Sequence, residues 1–319
     1  MTSMSDNEKT VSFCTSKNRN RKVIVFGGPT ASGKSGLALR LAERINGVVI
    51  NADSMQVYKD VPILTARPLD GETKKVDHKL YGFLDANQKC SAASWASLAA
   101  KEIENVLNSE RVPILAGGTG MYIQTLEEGI SPLPEVGEDV RATVRERFER
   151  QGYEKFLSDF IKRDPQVRLT DPQRLIRAAE IFEATGKSIV YWQSLPLKKA
   201  VEASYLNILV LPPREVLYAR CNERFSKMLS DGAMEEVRVL LSKNPPSDSL
   251  IMKAIGVKEL SGVLKGELSM AEAEDHAKQM TRNYAKRQTT WFKHRFKSDL
   301  TVVDGDFDAI LTKVLQFLS

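Results

Sequence analysis

The chain has 319 residues, with 46 Lys and Arg against 41 Asp and Glu, for a formal net charge of +5. That excludes a polycation as a whole, and a 42 % hydrophobic content fits a soluble globular protein long enough to bury a large core. Three scattered cysteines (Cys14, Cys90, Cys221) without a CxxC pair argue against a disulfide scaffold and a zinc ribbon, and for a reducing, cytoplasmic setting. No apolar run approaches the ~20 residues of a membrane span, so no membrane association is expected.

Residues 1–20 are polar, contain Asp6 and Glu8, and read as a disordered tail with no secretory signal. Val23–Phe26 is apolar and β-branched, as a buried strand requires, and Leu37 and Leu41 repeat at helical spacing. Between them lies Gly28-Pro29-Thr30-Ala31-Ser32-Gly33-Lys34-Ser35, a G-x-x-x-x-G-K-S loop in the strand–loop–helix context that makes it a phosphate site. Its backbone amides and the helix start favour anionic oxygens. Lys34 is expected to reach the outer phosphate, and Ser35 to offer its hydroxyl to Mg²⁺. The loop alone does not separate a nucleoside triphosphate from a diphosphate ester.

Gly47–Asn51 reads as a second strand running into Asp53, Ser54, Met55 and Gln56. Ligands of open parallel sheets bind beyond the carboxyl ends of strands. Asp53 therefore either carries chemistry or serves as an N-cap for the next segment. Residues 58–89 have no clear period and read as surface excursions. Ser91 or Ser94 caps a helix with Trp95, Leu98, Ala99, Ile103 and Leu107 at spacings of three or four. A third strand, Val112–Ala116, ends in Gly117-Gly118-Thr119-Gly120, where Thr119 supplies the hydroxyl.

From Ile130 the composition turns helical and basic for some seventy residues, giving an all-helical insertion over 130–200 between core segments 21–129 and 201–319. Asp171-Pro172 starts a helix with Leu175, Ala179 and Phe182 as its apolar stripe, ended at Gly186, and Arg174 and Arg177 share a face. Asn207–Leu211 returns to a buried strand, and Arg220 and Arg224 lie four apart on the helix after it. His276 to Ser298 holds seven Lys or Arg and no Asp or Glu, an electrostatic footprint for a polyanion, with Met280, Tyr284 and Trp291 as an apolar stripe. Leu300–Val303 reads as an outer strand before a terminal helix. The fold class is α/β, a P-loop parallel sheet flanked by helices with the helical insertion.

Seven segments in order, GPTASGKS (28–35), NADSMQVY (51–58), LAGGTGMYIQ (115–124), DPQRLIRAAEI (171–181), RFSKML (224–229), KAIGVKEL (253–260) and TRNYAKRQTTWF (281–292), resemble the tRNA dimethylallyltransferases. The resemblance implies transfer of a dimethylallyl group from dimethylallyl diphosphate to N6 of the adenine at position 37 of tRNAs that read codons starting with U. It implies that Asp53 is the general base, that Thr119 bonds the bridging oxygen or the acceptor base, and that Arg224 adds a cation at the leaving group. It further implies that Arg141, Gln173, Arg174, Leu175, Ile176, Arg177, Lys253, Arg282, Lys286 and Arg287 engage the anticodon arm. Ser54, Met55 and Gln56 would then line the base pocket. A monomer using Mg²⁺ is expected. The competing readings are an ATP-dependent small-molecule kinase, against which no strand ends in a Walker B carboxylate, and prenyl transfer to free adenine nucleotides.

Overall fold

A computed structural model describes residues 21–68, 70–303 and 305–319; the expectation for residues 1–20 lies outside them. Two compact units emerge: the described residues up to Glu127 together with Val201–Ser319, and Glu128–Ala200.

The first unit carries a sheet of six parallel strands in the order β3-β2-β4-β1-β5-β6. These are β1 (Lys22–Gly27), β2 (Gly47–Asn51), β3 (His78–Lys79), β4 (Val112–Gly117), β5 (Ser204–Val210) and β6 (Leu300–Val302). β1, β2, β4 and β5 are almost continuously apolar because helices cover both faces. The strand order switches sides at β1: β2 and β4 lie to one side of it, β5 to the other. Such a switch opens a crevice at the carboxyl ends of the strands, which is where a ligand fits.

Helix α1 (Lys34–Ile45) packs on one face through Ala38, Leu41 and Ala42. Helix α3 (Ala92–Asn108), which comes after the four-residue α2 (Asp70–Thr73), covers the other face with Trp95, Ala99 and Ile103. Ser91 caps it by accepting the Ser94 amide. Helix α4 (Gly120–Glu128) begins directly after β4.

The second unit consists of α5 (Glu138–Gln151), α6 (Tyr153–Arg163), α7 (Pro172–Thr185) and α8 (Ile189–Ser194) around Val144, Phe156, Phe160 and Leu175. Its entering and leaving segments meet in an antiparallel bridge between Ile130 and Lys198. Helix α7 has the boundaries its sequence announces: Asp171 accepts the Arg174 amide, Pro172 opens the first turn and left-handed Gly186 ends the last.

After β5 come α9 (Arg214–Ser230), α10 (Ala233–Ser242), α11 (Val257–Leu264), α12 (Met270–Arg295) and the terminal α13 (Phe307–Leu318). Two sequence expectations are corrected by this packing. Residues 58–89 are not simply surface: Tyr58, Val61 and Leu64, with Val57, are buried against Phe225, Met228, Val237 and Leu260. Irregular backbone hides that core from any periodicity argument. The buried face of α12 is also not the Met280–Tyr284–Trp291 stripe. It is Ala273, Ala277, Thr281, Ala285, Gln288 and Phe292, whereas Met280 is 42 % exposed. Small residues there let α12 approach α9 closely, and Phe292 and Phe296 add about 2 kcal/mol each by burial.

Candidate active site

The P-loop joins β1 to α1. Gly33 caps the helix at φ +90°, a conformation that L side chains rarely adopt, and Ala31 holds a left-handed φ of 62°. The loop aims the first amides of α1 outward, where they have no intrahelical acceptor. Ser35 is exposed in that first turn.

Lys34 is only 9 % exposed, and its ammonium donates to the Pro29 carbonyl at 3.1 Å. Burial pulls its pKa down to about 8; Asp53 counteracts this and Arg224 adds to it. The three charges therefore sense one another across one crevice. A dianion bound there would stabilise the ammonium, so the KM for a diphosphate substrate is expected to be flat below pH 8 and to rise, by up to about tenfold per unit, above it. Initial rates at varied diphosphate between pH 6.5 and 9.5 check this; a flat profile contradicts it.

Asp53 sits just past β2. Asn51, fully buried, accepts the Asp53 amide at 2.8 Å and donates to the carbonyls of Asp53 and Leu80. One carboxylate oxygen of Asp53 accepts the Met55 amide at 2.9 Å, a local turn rather than a helix cap. Thr119, beyond β4, faces it: its hydroxyl accepts the Ser54 amide at 2.9 Å and donates to the Ser54 hydroxyl. Tyr284 on α12 completes the wall. Burial, then the nearby Asp53 charge, raises its phenol well above the ordinary range, and it lies in hydrogen-bonding reach of Thr119. Arg224 on α9 donates to the Thr30 hydroxyl, and burial lowers its pKa.

Two cavities open around these groups. One, of about 410 Å³, is lined by Ala31–Gly36, Arg220 and Arg224. The other, of about 300 Å³, has Asp53, Thr30, Arg224, Lys253, Tyr284 and Arg287 on its polar side, and Leu64, Phe225, Met228 and Met280 on its apolar side. Arg224 borders both. The arrangement is an anion cradle with a mixed apolar–polar chamber beside it and a carboxylate inside the chamber.

The chamber thus collects Asp53, Ser54, Met55, Lys253, Arg224 and Arg287. Gln56 turns away, its amide donating to the carbonyls of Thr65 and Ala66. Arg282 is tied to Asn222 and Gln279, and Lys286 is exposed on α12. In the helical unit Gln173 and Arg174 are exposed, Arg141 pairs with Glu138, and Ile176 is half-buried. Leu175, expected at the anticodon arm, has its side chain fully buried in that unit's core, where the apolar stripe of α7 places it. Arg177 splits its guanidinium between Glu180 and the Pro134 carbonyl. Sequence reasoning left Tyr284 and Gln288 without a role. Both stand in the TRNYAKRQTTWF segment, four apart on one helix face, and that spacing was the available signal.

Known proteins resemble this chain over most of its length. The family model described as IPP transferase matches residues 56–295. A tRNA dimethylallyltransferase of Paramagnetospirillum magneticum is 43 % identical over 295 residues, covering 91 % of this chain and 94 % of its own. Another, from Nitrobacter hamburgensis, is 45 % identical over 277 residues, with coverage of 85 % and 87 %. Among solved structures, the full-length tRNA isopentenylpyrophosphate transferase of Bacillus halodurans superposes with a TM-score of 0.67 at 32 % identity, covering 93 % of this chain and 95 % of its own. A eukaryotic dimethylallyltransferase acting on tRNA gives 0.74 at 28 % identity, covering 92 % and 77 %. With the family model matching 56–295 and relatives above 40 % identity covering most of its length, the chain belongs to the IPP transferase family.

Proposed function

We infer that this chain transfers a dimethylallyl group from dimethylallyl diphosphate to N6 of adenosine 37 in tRNA, releasing diphosphate. The observation that carries this reading is that Arg224 borders both the P-loop cradle and an apolar-walled chamber containing Asp53. A diphosphate seated on the loop directs its allyl tail into that chamber, past Leu64, Phe225 and Met228.

The adenine amine is a weak nucleophile because its lone pair is delocalised into the ring. Attack at the allylic C1 therefore depends on compensating the leaving group and on accepting a proton. Lys34, Arg224 and the amides at the start of α1 hold the diphosphate as the C1–O bond breaks. The N6–C1 bond forms, and the Asp53 carboxylate takes the proton that N6 loses. Thr119 and Tyr284 hold the wall on which the base lies. Among the described residues no group of three His, Cys, Asp or Glu side chains is placed to hold a metal. Ser35 at the loop fits a Mg²⁺ ion that takes most of its ligands from phosphate and water. Bound there, the ion would supply further charge neutralisation at the leaving group.

The adenine must leave the anticodon loop to enter the chamber. Lys253 and Arg287 at its rim, and the exposed Lys286, are the groups we assign to the backbone nearby. In the helical unit Arg147 and Arg163 are committed to Glu183, whose pKa they hold down to about 2. The Arg174 guanidinium, in contrast, has no partner among the described residues. Replacing Arg174 by Gln should weaken binding of an anticodon stem-loop and reduce its log–log salt slope by about one, whereas Arg177, held by Glu180, should contribute less. Filter binding across a salt series checks this; an unchanged slope contradicts it.

The reading is tested by incubating the protein with labelled dimethylallyl diphosphate and, separately, labelled ATP, each with an anticodon stem-loop or free AMP. Label from the prenyl donor should enter the stem-loop. Phosphoryl transfer from ATP, or prenylation of AMP in preference, would sink it.

A further inference from the structure

We propose that Gln288 is a positioning residue for the leaving group: it fixes Thr30, and through Thr30 the guanidinium that meets the diphosphate. The proposal rests on the prenyl-transfer reading above. Gln288 lies on the inward face of α12 and is 5 % exposed. Its Oε1 accepts the Thr30 amide at 2.8 Å, and its Nε2 donates to the Gly118 carbonyl at 2.8 Å. One planar amide thus bridges the P-loop to the end of β4, two segments that share no covalent turn.

Only a carboxamide of this length offers an acceptor and a donor in one plane. Glu would set a second acceptor against the Gly118 carbonyl, and Met would satisfy neither group. The approach is close: a Cβ on residue 118 would stand 2.3 Å from Gln288 Nε2, so a side chain there would push the carboxamide out of its present bonds. The neighbouring Thr119 holds the Ser54 amide beside Asp53, so the same bridge ties the cradle to the wall that carries the base.

Thr30 is engaged at both ends. Its amide goes to Gln288 and its hydroxyl accepts from Arg224. That amide is therefore withdrawn from the anion cradle, and what Thr30 contributes to the diphosphate is the placement of Arg224. The relay runs from Gly118 through Gln288 and Thr30 to Arg224; Thr30 and Arg224 line the chamber, and Gln288 lies behind them.

The test uses the full chain, with dimethylallyl diphosphate varied at saturating anticodon stem-loop, and affinity for inorganic pyrophosphate read by calorimetry. Gln288→Met should lower kcat/KM for the prenyl donor by about 10- to 100-fold, as misplacement by an ångström does, and weaken pyrophosphate. The KM for the stem-loop should stay near its wild-type value. In an Arg224→Ala background the same substitution should change the rate by less than about threefold, because the relay has already lost its end. Effects that multiply in full would show Gln288 acting independently of Arg224 and overturn the proposal. If Gln288→Met does not fold, Gln288→Glu replaces it: it keeps the acceptor for the Thr30 amide, loses the donor to the Gly118 carbonyl and should show the same two losses. Thr30→Val, which keeps the amide bond and loses the hydroxyl, tests the last link. A Thr30→Val protein with wild-type kinetics and pyrophosphate affinity overturns the relay. A wild-type protein that binds pyrophosphate but transfers no prenyl group instead removes the function on which it rests, while the pyrophosphate readings still judge the relay.

Discussion

Asp53→Asn is expected to lower kcat by about 10²- to 10⁴-fold, the range of a lost general base, at pH 7. The substitution is chosen for its geometry. An Asn side-chain oxygen still accepts the Met55 amide that the Asp53 carboxylate accepts now, so the turn after β2 survives and only the basicity goes. The KM for dimethylallyl diphosphate should change little at that pH. At higher pH a second effect enters, because the Asp53 charge supports the protonated form of Lys34. Without it Lys34 loses its proton at lower pH, and donor binding should begin to weaken at a lower pH than in the wild type. Steady-state rates of both proteins from pH 6.5 to 9 measure the two effects together. Near wild-type kcat at pH 7 would remove Asp53 from the proton transfer.

Lys34→Met should cost about 10²- to 10³-fold in kcat/KM for the prenyl donor, comparable to removing a preorganised donor from an oxyanion site. The same substitution should stabilise the protein. Burial brings Lys34 from 10.5 to about 8, so between these values the unfolded chain binds more protons than the folded one, and stability rises with pH across that window. Below pH 8 the full penalty is present, on the order of 3 kcal/mol. Met fills a similar volume without the charge. Denaturant unfolding at pH 7 should therefore place Lys34→Met above wild type, with the gap closing toward pH 10.5. A destabilised Lys34→Met at pH 7 would mean that the bond to the Pro29 carbonyl outweighs desolvation.

The cradle was legible in the residues because a strand signal and a helix signal flank a loop whose glycines can serve little else. The apolar run 23–26 and the leucine repeat 37–41 place it, and Gly33 does adopt the conformation that excludes other residues. Helix α7 was legible for the same reason, since Asp171, Pro172 and Gly186 each perform a terminus-specific task. Asp53 was placed by the strand that precedes it, although its role came from the family resemblance rather than from spacing. What the sequence could not display was contact made by irregular backbone or by small and polar side chains. Tyr58, Val61 and Leu64 form a core from a stretch with no period. The inward face of α12 is largely Ala, Thr and Gln, so a hydropathy reading selected Met280 and Trp291 and passed over Gln288. Leu175 was legible as core from its place on the apolar stripe of α7, and it packs there, although the resemblance also assigns it to the anticodon arm. Arg224 could be paired with Arg220 by helical spacing, but its bond to Thr30 joins positions 194 apart and exists only once the sheet has formed.

All of this chemistry requires that the P-loop clasp the diphosphate of an isoprenoid, so that carbon and not phosphorus is attacked. Nuclease mapping with mass spectrometry, on tRNA incubated with the protein and dimethylallyl diphosphate, probes that requirement without intermediaries. The expected result is a mass gain of one five-carbon unit on the adenosine immediately 3′ of the anticodon, absent with Asp53→Asn over the same time. Unmodified tRNA with a wild-type protein that consumes ATP instead would contradict it.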